Sequence, residues 1–142
     1  DIIAGFPTET EEMFARTLRH VEACGLTHLH VFPFSPRDGT PAARMPQVAK
    51  TVAKARAARL RALGRTQLAA HLDRQVGRRF EVLVENGGIG RTPDFSPVRL
   101  GPAVVPGTFR RIRVSGHDGT HLLGRPDEAA YETPLVDRPA TG

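Results

Sequence analysis

The chain has 142 residues, of which 39% are apolar, and its net charge is +5. This length accommodates one domain or two small ones, with enough apolar surface for real cores. No apolar run approaches the roughly 20 residues that cross a bilayer, and no signal peptide opens the chain, so we expect a cytoplasmic protein without a membrane partner. The single cysteine, Cys24, excludes an internal disulfide and cannot by itself hold an iron–sulfur cluster or a zinc ion.

The first predicted elements are a short apolar strand and a helix. Residues 1–7 (DIIAGFP) predict a strand that runs into a turn. Thr8 and Glu11 have capping-box spacing, so we expect Thr8 to cap a helix to about Cys24, where Gly25 supplies a left-handed stop. Only one other candidate strand precedes the long basic helix, although a parallel strand needs neighbours on both sides. We therefore expect an incomplete α/β domain from a longer protein whose amino-terminal part is missing.

Residues 26–32 predict the second strand, and Pro and Gly forbid regular structure in the loop that follows. Ligands of α/β folds bind outside the carboxyl ends of strands, so these two strand-to-loop junctions are where we expect a cofactor. The candidate cofactor-binding residues are Gly5, Phe6, Pro7, Glu9, Ser35 and Arg37. The alternative is structural: the first group turns the strand into the helix, and Arg37 forms an ion pair that fixes its loop.

A long helix is predicted from about residue 48 to residue 74, with an apolar stripe of Val52, Ala55, Leu60 and Leu63 and a possible bend at Gly64. Between residues 44 and 79 the chain has ten Lys or Arg against one acid. Such a run indicates a polyanion partner, for which nucleic acid is the candidate, and the alternative is a solvated helix face.

The remaining sequence predicts a small antiparallel β-barrel. Residues 79–85 alternate with Phe80, Val82 and Val84 on one face, and residues 86–88 form a turn. Further candidate strands are short and bounded by Gly, Pro or Asp-Gly; they cover residues 95–100, 103–105, 108–115 and 121–123. Beyond these strands, residues 126–142 lack apolar periodicity and predict a disordered tail.

Four arginines of the predicted barrel are candidates for RNA binding. Arg111 and Arg113 share one strand face, whereas Arg110 points to the other. Arg91 and Arg99 flank the Pro-rich turn, where guanidinium groups meet phosphates or stack on unpaired bases. A plain solubility role is the alternative for each.

A pair of histidines on the second strand, His28 and His30, presents a possible metal site. No nearby acid or cysteine is expected to supply a third ligand, so we predict no metal site and assign both residues to packing or hydrogen bonding.

Residues 1–10 (DIIAGFPTET) and 35–42 (SPRDGTPA) resemble two strand–loop motifs of the radical S-adenosylmethionine methylthiotransferases. Residues 72–125 resemble the TRAM β-barrel of these enzymes, which contributes to RNA binding. The resemblance implies α/β plus β architecture: residues 1–71 form the C-terminal end of a partial (β/α) radical-SAM barrel, and a small antiparallel TRAM-like β-barrel follows. It also implies S-adenosylmethionine as cofactor, with Phe6 and Pro7 beside its adenine, and tRNA as partner. The full-length enzyme would hold two 4Fe-4S clusters, whose ligands this chain lacks, so we expect the fragment alone to be inactive.

Residues 90–100 (GRTPDFSPVRL) depart from the sequence that many family members carry after the Gly-Arg-Thr turn. This departure resembles the branch that methylthiolates the threonylcarbamoyl form of adenosine 37 in tRNA. The open alternatives are isopentenyladenosine tRNA or a ribosomal protein as substrate, or a non-catalytic basic RNA-binding module. A second departure is Thr8, where many relatives have glycine.

Overall fold

The computed structural model describes residues 1–126 and 133–134, and the chain divides into two compact units, Asp1–Leu68 and Ala69–Gly142. The elements of the first unit are β1 (Ile2–Ala4), α1 (Glu11–Ala23), β2 (Val31–Pro33) and a 3-10 turn (Pro41–Arg44). Helix α2 (Lys50–Asp73) begins in the first unit and ends in the second. The strands of the second unit are β3 (Arg79–Val84), β4 (Ile89–Arg91), β5 (Pro97–Arg99), β6 (Thr108–His117), β7 (Leu122–Pro126) and β8 (Thr133–Pro134).

The first unit packs its helices on one face of a two-stranded parallel sheet. The core contains Ala4 and Val31 from the strands, together with Phe14, Val21, Ala57 and Leu60 from the helices. Ile3 and Phe32, which are register partners on the two strands, are each 55% exposed. Two parallel strands with two helices make a small α/β unit, and its membership of a larger (β/α) barrel stays a prediction.

Helix α1 ends as predicted but begins differently. Its N-cap is Thr10, whose side chain accepts a hydrogen bond of 3.2 Å from Met13 N. The predicted cap, Thr8, instead has a φ of 69° and donates its N–H to Pro46 O. At the other end, Gly25 has a φ of 60°, which confirms the predicted left-handed stop.

Helix α2 confirms the predicted long helix, and Gly64 does not interrupt it. The predicted apolar stripe was wrong at Val52, which is 40% exposed, and at Ala55, which is also exposed. The buried residues of the helix within the first unit are Ala53, Arg56, Ala57, Leu60 and Gly64. Arg56 is thus buried on the helix, whereas the apolar pattern had predicted Val52 and Ala55 to be buried.

The second unit is a closed five-stranded barrel in the order β3-β4-β5-β7-β6, with β6 pairing back to β3 and β8 added to β6. Its interior is filled by alternate apolar residues of its strands, and the buried ones are Val82, Val84, Val98, Ile112, Val114 and Leu122. The barrel prediction is confirmed in outline, but the purely antiparallel pairing is wrong because β5 and β7 run parallel.

The predicted strand boundaries also need correction. The strand predicted over 26–32 begins only at Val31, and no strand forms over 103–105, whereas β4 was not predicted. The disorder expected from residue 126 does not hold for Pro126, the last residue of β7, or for residues 133–134, which form β8. The other tail residues, 127–132 and 135–142, lie outside the described residues. None of the described helices is long and apolar enough to cross a membrane.

Candidate cofactor and nucleic-acid sites

The first predicted junction, between β1 and α1, is a tight turn that its own side chains hold. Gly5 has a φ of 76°, and a Cβ on it would lie 2.4 Å from the Cβ of Ala53, so only glycine fits there. Gly5 N donates to Glu9 Oε2 at 2.9 Å, and Arg56 Nη1 donates to the same oxygen at 2.7 Å. Glu9 therefore anchors the turn, and its predicted contact with a cofactor stays a prediction.

Arg56 is the centre of a buried ionic cluster. Its side chain is 7% exposed and lies between the carboxylates of Glu9 and Glu11, with its guanidinium carbon 5.5 Å from the centroid of the Phe14 ring. Glu11 also accepts a 2.6 Å hydrogen bond from Arg59, and this bond is the main cause of the lowered pKa of Glu11. Part of the basic charge of α2 is thus neutralised within the first unit and is not available to a polyanion.

The second predicted junction opens a cleft of about 500 Å³ after β2. Ile3, Phe32 and Phe34 form apolar parts of its wall, and Ser35 and Arg37 are the predicted site residues that line it. The N–H and hydroxyl of Thr40 both donate to Arg37 O, at 3.2 and 2.7 Å, so the backbone of this loop is fixed.

The two junctions meet through their aromatic residues. Phe34 N donates to Ala4 O at 2.8 Å, and the rings of Phe6 and Phe34 pack edge to face with centroids 5.3 Å apart. Phe6 is therefore adjacent to a residue of the cleft wall. Gly5, Pro7 and Glu9 do not line this cleft, and Pro7 is buried.

The residues of the cleft suit a ligand with one flat apolar end and one anionic end, because two phenylalanines and Arg37 line it. This donor set fits S-adenosylmethionine, which has an adenine and a carboxylate. The donor set for an iron–sulfur cluster does not fit: the described residues hold no group of three metal-ligating side chains, and Cys24 is the chain's only cysteine.

The structure corrects two details of the interpretation of His28 and His30, the first being that both residues precede β2 and do not lie on a strand. His28 and His30 are exposed, and an acid does lie nearby, because His30 Nδ1 is 3.1 Å from Asp1 Oδ1. Both side chains of that pair are more than three-quarters exposed, at 80% and 77%. The contact is a surface pair.

In the barrel, two of the four predicted RNA-binding arginines are engaged in ion pairs. Arg91 Nε lies 3.2 Å from Glu85 and Arg99 Nε lies 2.9 Å from Asp118. Hydrogen bonds to Asp118, first from the Thr120 hydroxyl and also from Arg99, lower the pKa of Asp118. These arginines are partly neutralised in the isolated chain.

Arg113 lies at the centre of a cross-strand row of three arginines. Arg113 is the register partner of Arg79 on β3 and of Arg125 on β7, so all three lie on one outer face of the barrel. Within the described part of the chain, Arg113 and Arg125 have no ion-pair partner. Both line a cleft of about 450 Å³ with Gly77 and Ser115. We call Arg79, Arg113 and Arg125 the arginine row.

Like charges directly opposite each other destabilise a sheet, so an anion bound at Arg113 and Arg125 would relieve their repulsion. Sequence reasoning found Arg113 but missed Arg79 and Arg125, because only the register across β3, β6 and β7 brings them together. The other predicted residue of β6, Arg111, lies opposite Glu81.

A small parallel α/β unit followed by a closed five-stranded barrel defines the fold class of this protein, and the barrel is consistent with a TRAM-like barrel. No protein-family model matches the chain. The chain is 47% identical over 116 residues to the threonylcarbamoyladenosine tRNA methylthiotransferase MtaB of Rickettsia prowazekii, covering 82% of this chain and 28% of the relative.

Two other groups of relatives match over a similar region. The tRNA-2-methylthio-N(6)-dimethylallyladenosine synthase of Jannaschia sp. is 39% identical over 133 residues, covering 88% of this chain and 29% of the relative. The ribosomal protein uS12 methylthiotransferase RimO of Prochlorococcus marinus is 36% identical over 141 residues, covering 87% of this chain and 30% of the relative. The chain therefore belongs to the methylthiotransferase family, matches the C-terminal portion of its members and spans less than a third of their length.

Proposed function

We propose that this chain is the C-terminal part of a tRNA methylthiotransferase that adds a methylthio group to C2 of N6-threonylcarbamoyladenosine at position 37. The observation that carries the proposal is the 47% identity to the Rickettsia enzyme of that name, against 39% and 36% for the relatives named for other substrates. The cytoplasm is the location that we expect for such an enzyme.

In this proposal the cleft after β2 borders the S-adenosylmethionine site. When bound, S-adenosylmethionine would supply the radical that activates the adenine C2 of the substrate, after reductive cleavage by one electron from an iron–sulfur cluster held by another part of the full-length enzyme. Arg37 would bind its carboxylate in a bidentate manner, and the Ser35 hydroxyl would add a hydrogen bond. Phe6 and Phe34 would support its adenine, while Gly5, Pro7 and Glu9 would hold the turn on which Phe6 lies.

The barrel would bind the tRNA backbone. Arg113 and Arg125 of the arginine row lie on adjacent strands, which are about 4.8 Å apart, and each can bind a phosphate. Arg111 lies on the same face and would add to its positive electrostatic potential. Arg91 and Arg99 would contribute once phosphates compete with their carboxylate partners.

The substrate is tested by mass spectrometry of tRNA nucleosides from cells that lack the full-length gene and from the same cells with the gene restored. Loss and return of the methylthio form of threonylcarbamoyladenosine is the expected result. Loss of the isopentenyl-type methylthio nucleoside, or of a modification on a ribosomal protein, would assign the enzyme to one of the other substrates. No change in any of these would favour the non-catalytic RNA-binding module.

The RNA role of the barrel is tested separately with the 142-residue chain. We expect Arg113→Gln with Arg125→Gln to weaken tRNA binding and to reduce the slope of log affinity against log salt by about 0.7 to 0.9 per arginine. Arg16→Gln with Arg19→Gln is the matched control, because it also removes two positive charges, from exposed residues of α1. An unchanged slope in the double variant would remove the arginine row from the proposal.

A further inference from the structure

The turn between β4 and β5 holds an aromatic residue in an unusual state. Phe95 has a φ of 64°, in the left-handed region that bulky residues rarely adopt, and it is 76% exposed. Both features cost free energy: the backbone is strained, and the ring forgoes burial. Folding alone gives no reason for a phenylalanine here, since glycine would adopt this conformation without strain.

The surrounding side chains hold the turn rigidly. Phe95 N donates to Thr92 O at 2.9 Å, and the Thr92 hydroxyl contacts the Asp94 carboxylate and Ser96 O. Ser96 is fully buried, and its hydroxyl lies 3.0 Å from His71 Nε2. The exposed ring therefore projects from a backbone that has little freedom to move it.

Phe95 lies at the edge of a cleft of about 630 Å³ on the barrel surface. Leu83 and Phe109 add apolar surface, and the carboxylates of Glu81 and Glu85 lie on the same wall. Arg91 also lines it and donates to Phe95 O at 3.3 Å, which braces the turn from inside the cleft.

The cleft shares its sheet face with the arginine row. On the β3–β6 pair, the register partners Leu83 and Phe109 are four residues along the strands from Arg79 and Arg113. Four residues of strand correspond to about 13 Å. Aromatic surface and phosphate-binding groups therefore lie along one track, as in proteins that bind single-stranded RNA.

We propose that this cleft binds one unpaired nucleobase of an RNA whose backbone lies on the arginine row. The base would stack on the Phe95 ring, and Glu81 or Glu85 would accept hydrogen bonds from N–H groups on the edge of the base. A carboxylate repels phosphate but accepts from base N–H groups, so this wall suits a base and not the backbone. The inference rests on the proposed RNA role of the barrel, because contacts between the RNA backbone and the arginine row would bring the base to the cleft.

The test uses the 142-residue chain and two single-stranded RNA oligonucleotides of equal length, one with bases and one abasic. We expect Phe95→Gly to weaken binding of the first about 5- to 150-fold, which is the value of one stacked base, and to leave the second unchanged. Phe95→Tyr should retain the affinity of the unsubstituted chain. Val105→Ala is the matched control, because Val105 is an exposed apolar residue of the same unit at 52%.

Tryptophan fluorescence tests binding at the cleft directly. The chain contains no tryptophan, so Phe95→Trp places a single indole at the cleft, whose emission should be quenched by the base-containing RNA and not by the abasic one. Equal affinity of Phe95→Gly and the unsubstituted chain for base-containing RNA would overturn the inference while leaving the arginine row intact. Quenching by an apolar peptide but not by RNA would also overturn it and assign the cleft to a protein. RNA binding that is absent from the unsubstituted chain would instead refute the RNA role itself.

Discussion

Replacing Arg56 with methionine should be among the most destabilising single changes in the first unit. The side chains of Arg56 and Glu9 are 7% and 12% exposed, and the guanidinium donates to both the carboxylate and the carbonyl oxygen of Glu9. Removing one partner of a buried pair leaves an uncompensated charge and costs about 3–5 kcal/mol. That loss is a large share of the 5–15 kcal/mol that typically stabilises a whole protein.

The matched control is Arg59→Met, one turn further along α2. Arg59 also pairs with a glutamate and contacts the Phe14 ring, but its side chain is 52% exposed. Urea denaturation followed by far-UV circular dichroism should show a large decrease in the free energy of unfolding for Arg56→Met and a small decrease for Arg59→Met. Adding Glu9→Gln to Arg56→Met should recover part of the loss, because it removes the buried charge. Equal costs for the two arginine variants would refute the idea that burial of the pair governs its contribution.

Other predictions concern single backbone and titrating positions. Gly5→Ala should lower the free energy of unfolding by about 1–3 kcal/mol more than Gly25→Ala, as measured by urea denaturation. Both changes force an alanine to a positive φ, but only the first brings a Cβ against Ala53. Equal costs would contradict the steric argument. Burial raises the pKa of Asp94, but hydrogen bonds from Thr92 and Ser96 and the charge of His71 outweigh it, so the net pKa is lowered. The folded state therefore favours the charged carboxylate, and its stabilisation is complete above about pH 4 and is lost as the pH falls further. Thermal unfolding against pH should show this loss in the unsubstituted chain and a flatter profile in Asp94→Asn.

Local sequence signals predicted the parts of the fold that short-range chemistry decides. Glycine at the end of α1, the composition of α2 and the alternation in β3 each identify their element without reference to distant residues. The N-cap of α1 failed because Thr8 and Thr10 are both suitable residue types, and the choice depends on a hydrogen bond from Thr8 N to Pro46 O in a distant loop. The sequence departure at Thr8 now has a structural counterpart, since its φ of 69° is one that glycine would adopt freely.

Long-range pairing decided what the sequence did not predict. The apolar pattern of α2 excludes arginine from the buried side, and Arg56 is buried only because Glu9 and Glu11 on another element meet it. In the same way, the arginine row has no signature along the chain. Arg79, Arg113 and Arg125 are far apart in sequence, and they become neighbours only through the register of three strands.

These two cases bear on the proposed RNA role of the barrel, because ion pairing within the chain decides which arginines a phosphate can neutralise. The densest basic stretch is α2, which first indicated a polyanion, yet Arg56 and Arg59 of that helix are paired with glutamates. The barrel has acids interspersed among its arginines, but its register collects three arginines on one face and leaves Arg113 and Arg125 without an ion pair among the described residues. Counterion release depends on charges that phosphates can neutralise, not on the number of arginines in a segment. The salt dependence of RNA binding should therefore follow substitutions in the arginine row and be insensitive to Arg59→Met, although α2 is the more basic segment.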